Sequence, residues 1–195
     1  MLSAALIVCA TVAGTLAWLT DKTEPVVNTF TVGDINITLT ESENLDLKMV
    51  PGLPISKDPK VTVKAGSEAC WLFVKVVKSE NFKDFMTYDE ADGWTLLKTE
   101  GNTEVYYREV AATTADTDIY VLKDNKVTVL ETVTKTMLAG VKNADGTPNE
   151  NAPTLTFTAY AVQKDGIADA ATAWGKVTPL ILHYEKNYIH KGEVS

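Results

Sequence analysis

The sequence predicts an all-β fold, a jelly-roll-like β-sandwich with one or two short helices, preceded by an N-terminal signal peptide. Three observations carry that expectation. Past Asp21 the chain divides into short runs of β-branched and aromatic residues bounded by Gly, Asn, Asp or Thr, the pattern of strands and turns. In "DINITLTE" the alternation is strict, with Ile35, Ile37 and Leu39 on one face and Asn36, Thr38 and Thr40 on the other. Helical periodicity is scarce. At 195 residues the chain suits one domain with a substantial core. Its parts are assigned as residues 1–17, the signal peptide; 18–30, an N-terminal arm or donor strand; and 31–195, the sandwich domain.

Taken in order, the chain opens with "AALIVCATVAGTLAW", uncharged from Ala4 to Trp18 and shorter than the ~20 residues that a spanning helix needs. Thr15 and Ala17 are small residues at the two positions a signal peptidase reads, so cleavage after Ala17 makes Trp18 the new N-terminus. Export without a stable membrane span is expected. The stretch 51–78 contains two further strands, Lys60 to Lys64 and Ala69 to Lys78, joined by "AGSE" as a hairpin or a sheet-to-sheet turn. In the second of these, Cys70, Leu72, Val74 and Val76 alternate with Trp71, Phe73, Lys75 and Val77. Both faces are largely apolar, which suggests a central strand of a two-layer sandwich.

Further strands are expected in "GWTLLKT", "TEVYYREV", "DIYVL", "KVTVLETVT" and "TLTFTAYAVQ". Phe82, Phe85 and Met86 have the spacing of a short helix or a loop. "DGIADAATAWGKV" predicts about two helical turns, with Asp165 as cap, Ile167, Ala171 and Trp174 on one face, and Gly175 as stop. "GVKNADGTPNENAP" is polar and rich in turn formers, so an exposed loop is expected.

A formal charge of −8, with Arg108 as the sole arginine, argues against nucleic acid as a partner, because phosphate binding needs clustered cations. Two cysteines, Cys9 and Cys70, cannot build a disulfide framework, and Cys70 reads as a small buried residue.

Four strings occur together: "GTLAWLTD", "NTFTVGDINITLTE", "PGLPISKDPKVTVKAGSEACWLFVKV" and "LTFTAYAVQKDGIADAATAW". In order and spacing they resemble the TasA/camelysin family of Gram-positive bacteria over about Gly14 to Trp174. Leu19 stands where the family usually has an aromatic, and Lys64 where it commonly has Asn. The resemblance implies a secreted jelly-roll protein of the biofilm matrix or cell surface, cut by an atypical signal peptidase and assembled into fibres. The family also includes camelysin, described as a surface metallopeptidase.

Residues that could carry catalysis are sparse, and no catalytic, cofactor-binding or metal-binding residue is assigned. His183 and His190 are the only histidines, and no H-E-x-x-H motif places two imidazoles on one helical face. Asp89, Glu90 and Asp92 before Gly93 superficially resemble a calcium loop but lack its ladder of alternating acids. Ser3, Ser56, Ser67 and Ser79 have no G-x-S-x-G setting. Trp71, Phe73, Tyr106, Tyr107, Tyr120, Phe157, Tyr160 and Trp174 could form a sugar platform, although aromatics at strand positions are more often core.

The segment "WLTDKTEPVVNTF" offers Trp18, Val26, Val27 and Phe30 as donor-strand contacts, with Pro25 opposing a regular helix. Laid in a neighbour's open sheet edge, Trp18 and two valines contribute roughly 5 kcal/mol at about 25 cal/mol per Å2, before ordering costs. Self-association head to tail is then expected, with signal peptidase and other matrix proteins as further partners. The alternatives are a camelysin-like metallopeptidase or a monomeric surface binding module. A first strand of the chain's own sheet, or a frayed terminus, is the plainer reading of the arm. No sorting motif or hydrophobic tail stands near "NYIHKGEVS", so covalent wall attachment is not expected.

Overall fold

The computed structural model describes residues 29–32, 34–42 and 49–177. Eleven strands are described: β1 Thr29–Val32, β2 Ile37–Thr40, β3 Pro54–Ser56, β4 Lys60–Val63, β5 Cys70–Lys78, β6 Met86–Thr87, β7 Thr95–Glu100, β8 Thr103–Val110, β9 Thr117–Tyr120, β10 Lys126–Val129 and β11 Leu155–Gln163. Three short helices accompany them: α1 Phe82–Phe85, α2 Lys135–Gly140 and α3 over 170–177. The fold is all-β, as the period-two runs predict.

A five-stranded sheet has the order β1-β11-β5-β8-β7, and two three-stranded sheets have the orders β3-β10-β6 and β2-β4-β9. Every pairing among these strands is antiparallel except β1 with β11. The main core lies where the five-stranded sheet meets the other two: Leu72, Val74 and Val76 from β5 join Ile37 and Leu39 from β2, Val61 and Val63 from β4, Ile119 from β9 and Val127 and Val129 from β10. "AGSE" connects β4 in one sheet to β5 in another, so it is the sheet-to-sheet turn and not a hairpin. The hairpin in this region of the fold is β7–β8, closed by Gly101 and Asn102 with Glu100 opposite Thr103. Gly101 has a φ of 56°, which L side chains adopt only with strain.

β5 is the central strand of the five-stranded layer of the sandwich, as its two apolar faces predict. Its second face does not pack on a second sheet; Trp71 and Phe73 lie with Val105, Tyr160 and Val162 beneath α3. Ala170, Ala173, Trp174 and Val177 are the buried stripe of that helix, at three- and four-residue spacing. The helix cap also differs from the expected one. Asp169, not Asp165, accepts the backbone N–H of Thr172 at 2.7 Å, and the helix runs through Gly175. Asp165 instead lies in the turn before it, which is pinned by a hydrogen bond from Trp71 Nε1 to the Ile167 carbonyl at 3.2 Å. Ala171 is exposed, so the buried stripe is set by Ala170 and Ala173.

"KVTVLETVT" is a strand only to Val129. Thr134, read as its end, caps α2 by accepting the N–H of Met137 at 3.2 Å. The segment after α2 is mostly exposed, as predicted, but Val141 and Ala152 anchor it to the core and Lys142 bridges Pro148. Cys70 is fully buried, and burial pushes its thiol up to about 11, so it packs as a hydrophobe.

Trp174 closes the second core, with its ring centroid 5.2 Å from that of Phe73 and 5.3 Å from that of Tyr160, edge-on to the latter. Trp174→Ala is expected to cost about 3–5 kcal/mol in urea unfolding, as large-to-small core changes do. The same substitution at exposed Tyr120 is expected to cost well under half of that.

Candidate functional site

An open strand edge is the feature through which a β-sandwich most readily takes on another chain, because its backbone N–H and C=O groups lack partners. The five-stranded sheet ends in β7 on one side and β1 on the other. The β7 edge is poorly suited to pairing. Its register shifts between Leu96 and Lys98, and Lys98 and Glu100 form an ion pair at 2.9 Å along it. A bulge and charges both obstruct edge-to-edge contact.

The other side is different. β1 pairs in parallel with β11 through only four positions, Thr29 with Ala159, Phe30 with Tyr160, Thr31 with Ala161 and Val32 with Val162. β11 itself runs from Leu155 to Gln163 and pairs with β5 along its whole length. Among the described residues, therefore, positions 155–158 of β11 have a strand on one side only. Their side chains are not loose, since Leu155 and Phe157 are core residues.

Of the residues the sequence singles out for the donor segment, Phe30 lies in β1, its backbone beside Tyr160. Trp18, Val26 and Val27 lie outside the described residues, as do the cleavage residue Ala17 and the histidines His183 and His190. The last two positions assigned to the arm, Thr29 and Phe30, thus belong to a strand of the chain's own sheet.

The residues weighed for chemistry are dispersed. Ser67 Oγ accepts the N–H of Asn36 and donates to its carbonyl, and Ser79 Oγ accepts the N–H of Thr154, so both fasten loops. Ser56 ends β3. Glu90 bridges Leu122 and the carbonyl of Asp89 accepts the N–H of Lys123, while the Arg108 guanidinium packs over Gly93 and the Trp94 ring. A cation therefore already covers that acidic turn. Among the described residues no group of three or more His, Cys, Asp or Glu could hold a metal ion. Trp71, Phe73, Tyr160 and Trp174 are buried in the second core, and Tyr106 and Phe157 in the main one. Tyr120, 45% exposed, and half-buried Tyr107 are too few for a sugar platform.

Sequence reasoning passed over two polar constellations. In the first, Glu104 accepts hydrogen bonds from Lys78 Nζ at 2.5 Å, Tyr88 Oη at 2.5 Å and Tyr106 Oη at 3.0 Å. Burial alone raises a carboxyl pKa, but these three donors outweigh it and hold Glu104 below the ordinary value. Burial and the same carboxylate push both phenols upward, so they remain donors. The cluster fastens β8 to β5 and to the segment after β6. In the second, Lys57 is buried beside Glu41. Both lie at inward positions of alternating strands, which is the signal that could have exposed them.

The chain matches no protein-family model, and no curated protein or solved structure proves similar to it. No helix among the described residues is long and apolar enough to cross a membrane.

Because the folded pKa of Glu104 is depressed, its contribution to stability is complete above the ordinary carboxyl value of 4.5 and is lost as pH falls through the lower folded value. Glu104→Gln is expected to lower stability at neutral pH by roughly 1.5–3 kcal/mol, the range for hydrogen bonds to a charged group. Its stability should also fall less steeply on acidification. Chemical denaturation across acid and neutral pH checks both.

Proposed function

We propose that the chain is a secreted structural protein of the bacterial extracellular matrix or cell surface that polymerises into fibres by β-strand addition. The donor is the segment from Trp18 to Phe30 of one copy, and the acceptor is the β11 edge of the next. The observation that supports this reading is β1 itself: Thr29 and Phe30, the end of the arm, pair in parallel with Ala159 and Tyr160 at one side of the five-stranded sheet.

The exchange is cheap. β1 is short, stands at the sheet edge, and is held to β11 by the few backbone hydrogen bonds of a four-position parallel ladder. Val26 and Val27 precede it in sequence and Phe30 lies within it, so a copy that lends its arm lends the start of β1 as well. A neighbour's arm restores those bonds and extends the strand beside Leu155 and Phe157. Such a contact uses a different surface on each partner, so it propagates head to tail instead of closing. Signal removal after Ala17 frees the arm, and polymerisation thereby waits until export. The resemblance to the TasA/camelysin family supports the same reading, which assigns no catalytic residue, cofactor or metal.

Protein beginning at Trp18 is expected to form fibres under negative-stain microscopy, and protein lacking residues 18–30 to remain a folded monomer. Fibres that form equally well without those residues overturn strand addition. A monomer that cleaves casein, is inhibited by chelator and loses activity on changing His183 would instead identify a surface peptidase.

A further inference from the structure

Three strands carry their inward-facing phase onto polar residues. Ile35, Ile37 and Leu39 face the core, and the next inward position is Glu41; Ile55 of β3 is followed by Lys57; Val129 and Val127 of β10 are preceded by Asn125. These ends converge. The Lys57 N–H donates to the Asn125 carbonyl at 2.8 Å, just past the end of the β3–β10 ladder at Ser56 and Lys126, while the Asn125 N–H turns back to the Leu122 carbonyl.

Lys57 is only 5% exposed. Its Nζ donates to Glu41 Oε1 at 2.5 Å and stands 5.4 Å from the centroid of the Phe157 ring in β11. Asn125 Oδ1 is buried with no hydrogen-bond partner. Asp124 and Asn125 have φ of 53° and 51°, the only positive values among described non-glycine residues, so the backbone is strained where it aims this amide inward. Ser42 closes the corner from the Glu41 side by donating its N–H to Asp58 Oδ1 at 2.9 Å. A buried ammonium–carboxylate pair and an orphaned amide oxygen in one corner are each costly as ordinary packing.

We propose that Lys57 and Asn125 are joined by an intramolecular isopeptide bond, from Nζ to Cγ, formed in the folded chain with Glu41 carrying the proton. The Nζ lone pair attacks Cγ, a C–N bond forms, the Cγ–Nδ2 bond breaks, and ammonia leaves. Glu41 takes a proton from Nζ and returns one to Nδ2, so nothing is oxidised and no co-reactant is needed. The attack requires a neutral amine. Desolvation by burial lowers the Lys57 pKa against the opposing pull of Glu41, and the Phe157 ring keeps the corner apolar. The bond ties β3 to β10 covalently in a chain whose one described cysteine, Cys70, is unpaired.

Intact-mass spectrometry of the purified protein beginning at Trp18 tests this, because linkage lowers the mass by one ammonia. Protease digestion should then release a branched peptide pair joining Lys57 to Asn125. Lys57→Met and Asn125→Ala are each expected to restore the full sequence mass and to lower the melting temperature. Glu41→Gln is expected to leave most of the chain unlinked. A folded wild-type protein at full sequence mass overturns the proposal without recourse to any variant. So does an ammonia loss with no branched pair, as cyclisation of an asparagine onto its own backbone would give. Glu41→Gln protein that links as fully as wild type removes the glutamate from the reaction.

Discussion

The two apolar faces of β5 are the constraint on which the rest of the structure depends. A strand with one polar face needs one covering layer, whereas Leu72, Val74 and Val76 on one face and Trp71 and Phe73 on the other demand two. Burial of each such side chain contributes about 1.5–3 kcal/mol, so leaving either face wet would consume much of the margin by which a domain is stable. The chain meets the demand asymmetrically. Two small sheets cover the first face and one helix the second, and β11 and β8 pair with β5 along nearly its whole length.

That arrangement determines which edges of the sheet remain. With β5 in the middle, the sheet ends among the described residues in β7, bulged and charged, and in β1, which runs parallel to β11. The inward side chains of β11, Leu155, Phe157, Ala159 and Ala161, lie in the main core, so the strand beside β1 is anchored from its own face.

Polar groups in the interior divide into two kinds. Glu104 is satisfied by three donors, and its network joins strands to the loop that follows β6. Lys57, Glu41 and Asn125 do not balance in the same way, because one ion pair leaves an amide oxygen without a partner. That imbalance lies beside the two left-handed residues Asp124 and Asn125.

Local pattern made the strands legible. The inward residues of β2 and the doubly apolar face of β5 follow from period-two alternation, which is a property of the extended backbone itself. A short helix at Trp174 was legible from its Ala-rich, three- and four-residue spacing, but its buried stripe runs through Ala170 and Ala173 instead of Ala171, and its cap was misplaced by four residues because Asp165 and Asp169 are equally good local candidates. Thr134 reads as strand by propensity, and only its bond to Met137 shows it to be a cap. The parallel pairing of β1 with β11 could not be read from sequence at all, since it depends on which strand lies beside which. The corner of Lys57, Glu41 and Asn125 joins residues separated by tens of positions. By itself, then, the sequence determined the class of fold and the phase of its strands. The tertiary structure alone decided the layering, the order of strands in each sheet and the buried polar corner, because pairing and packing between distant segments are not encoded in any local window.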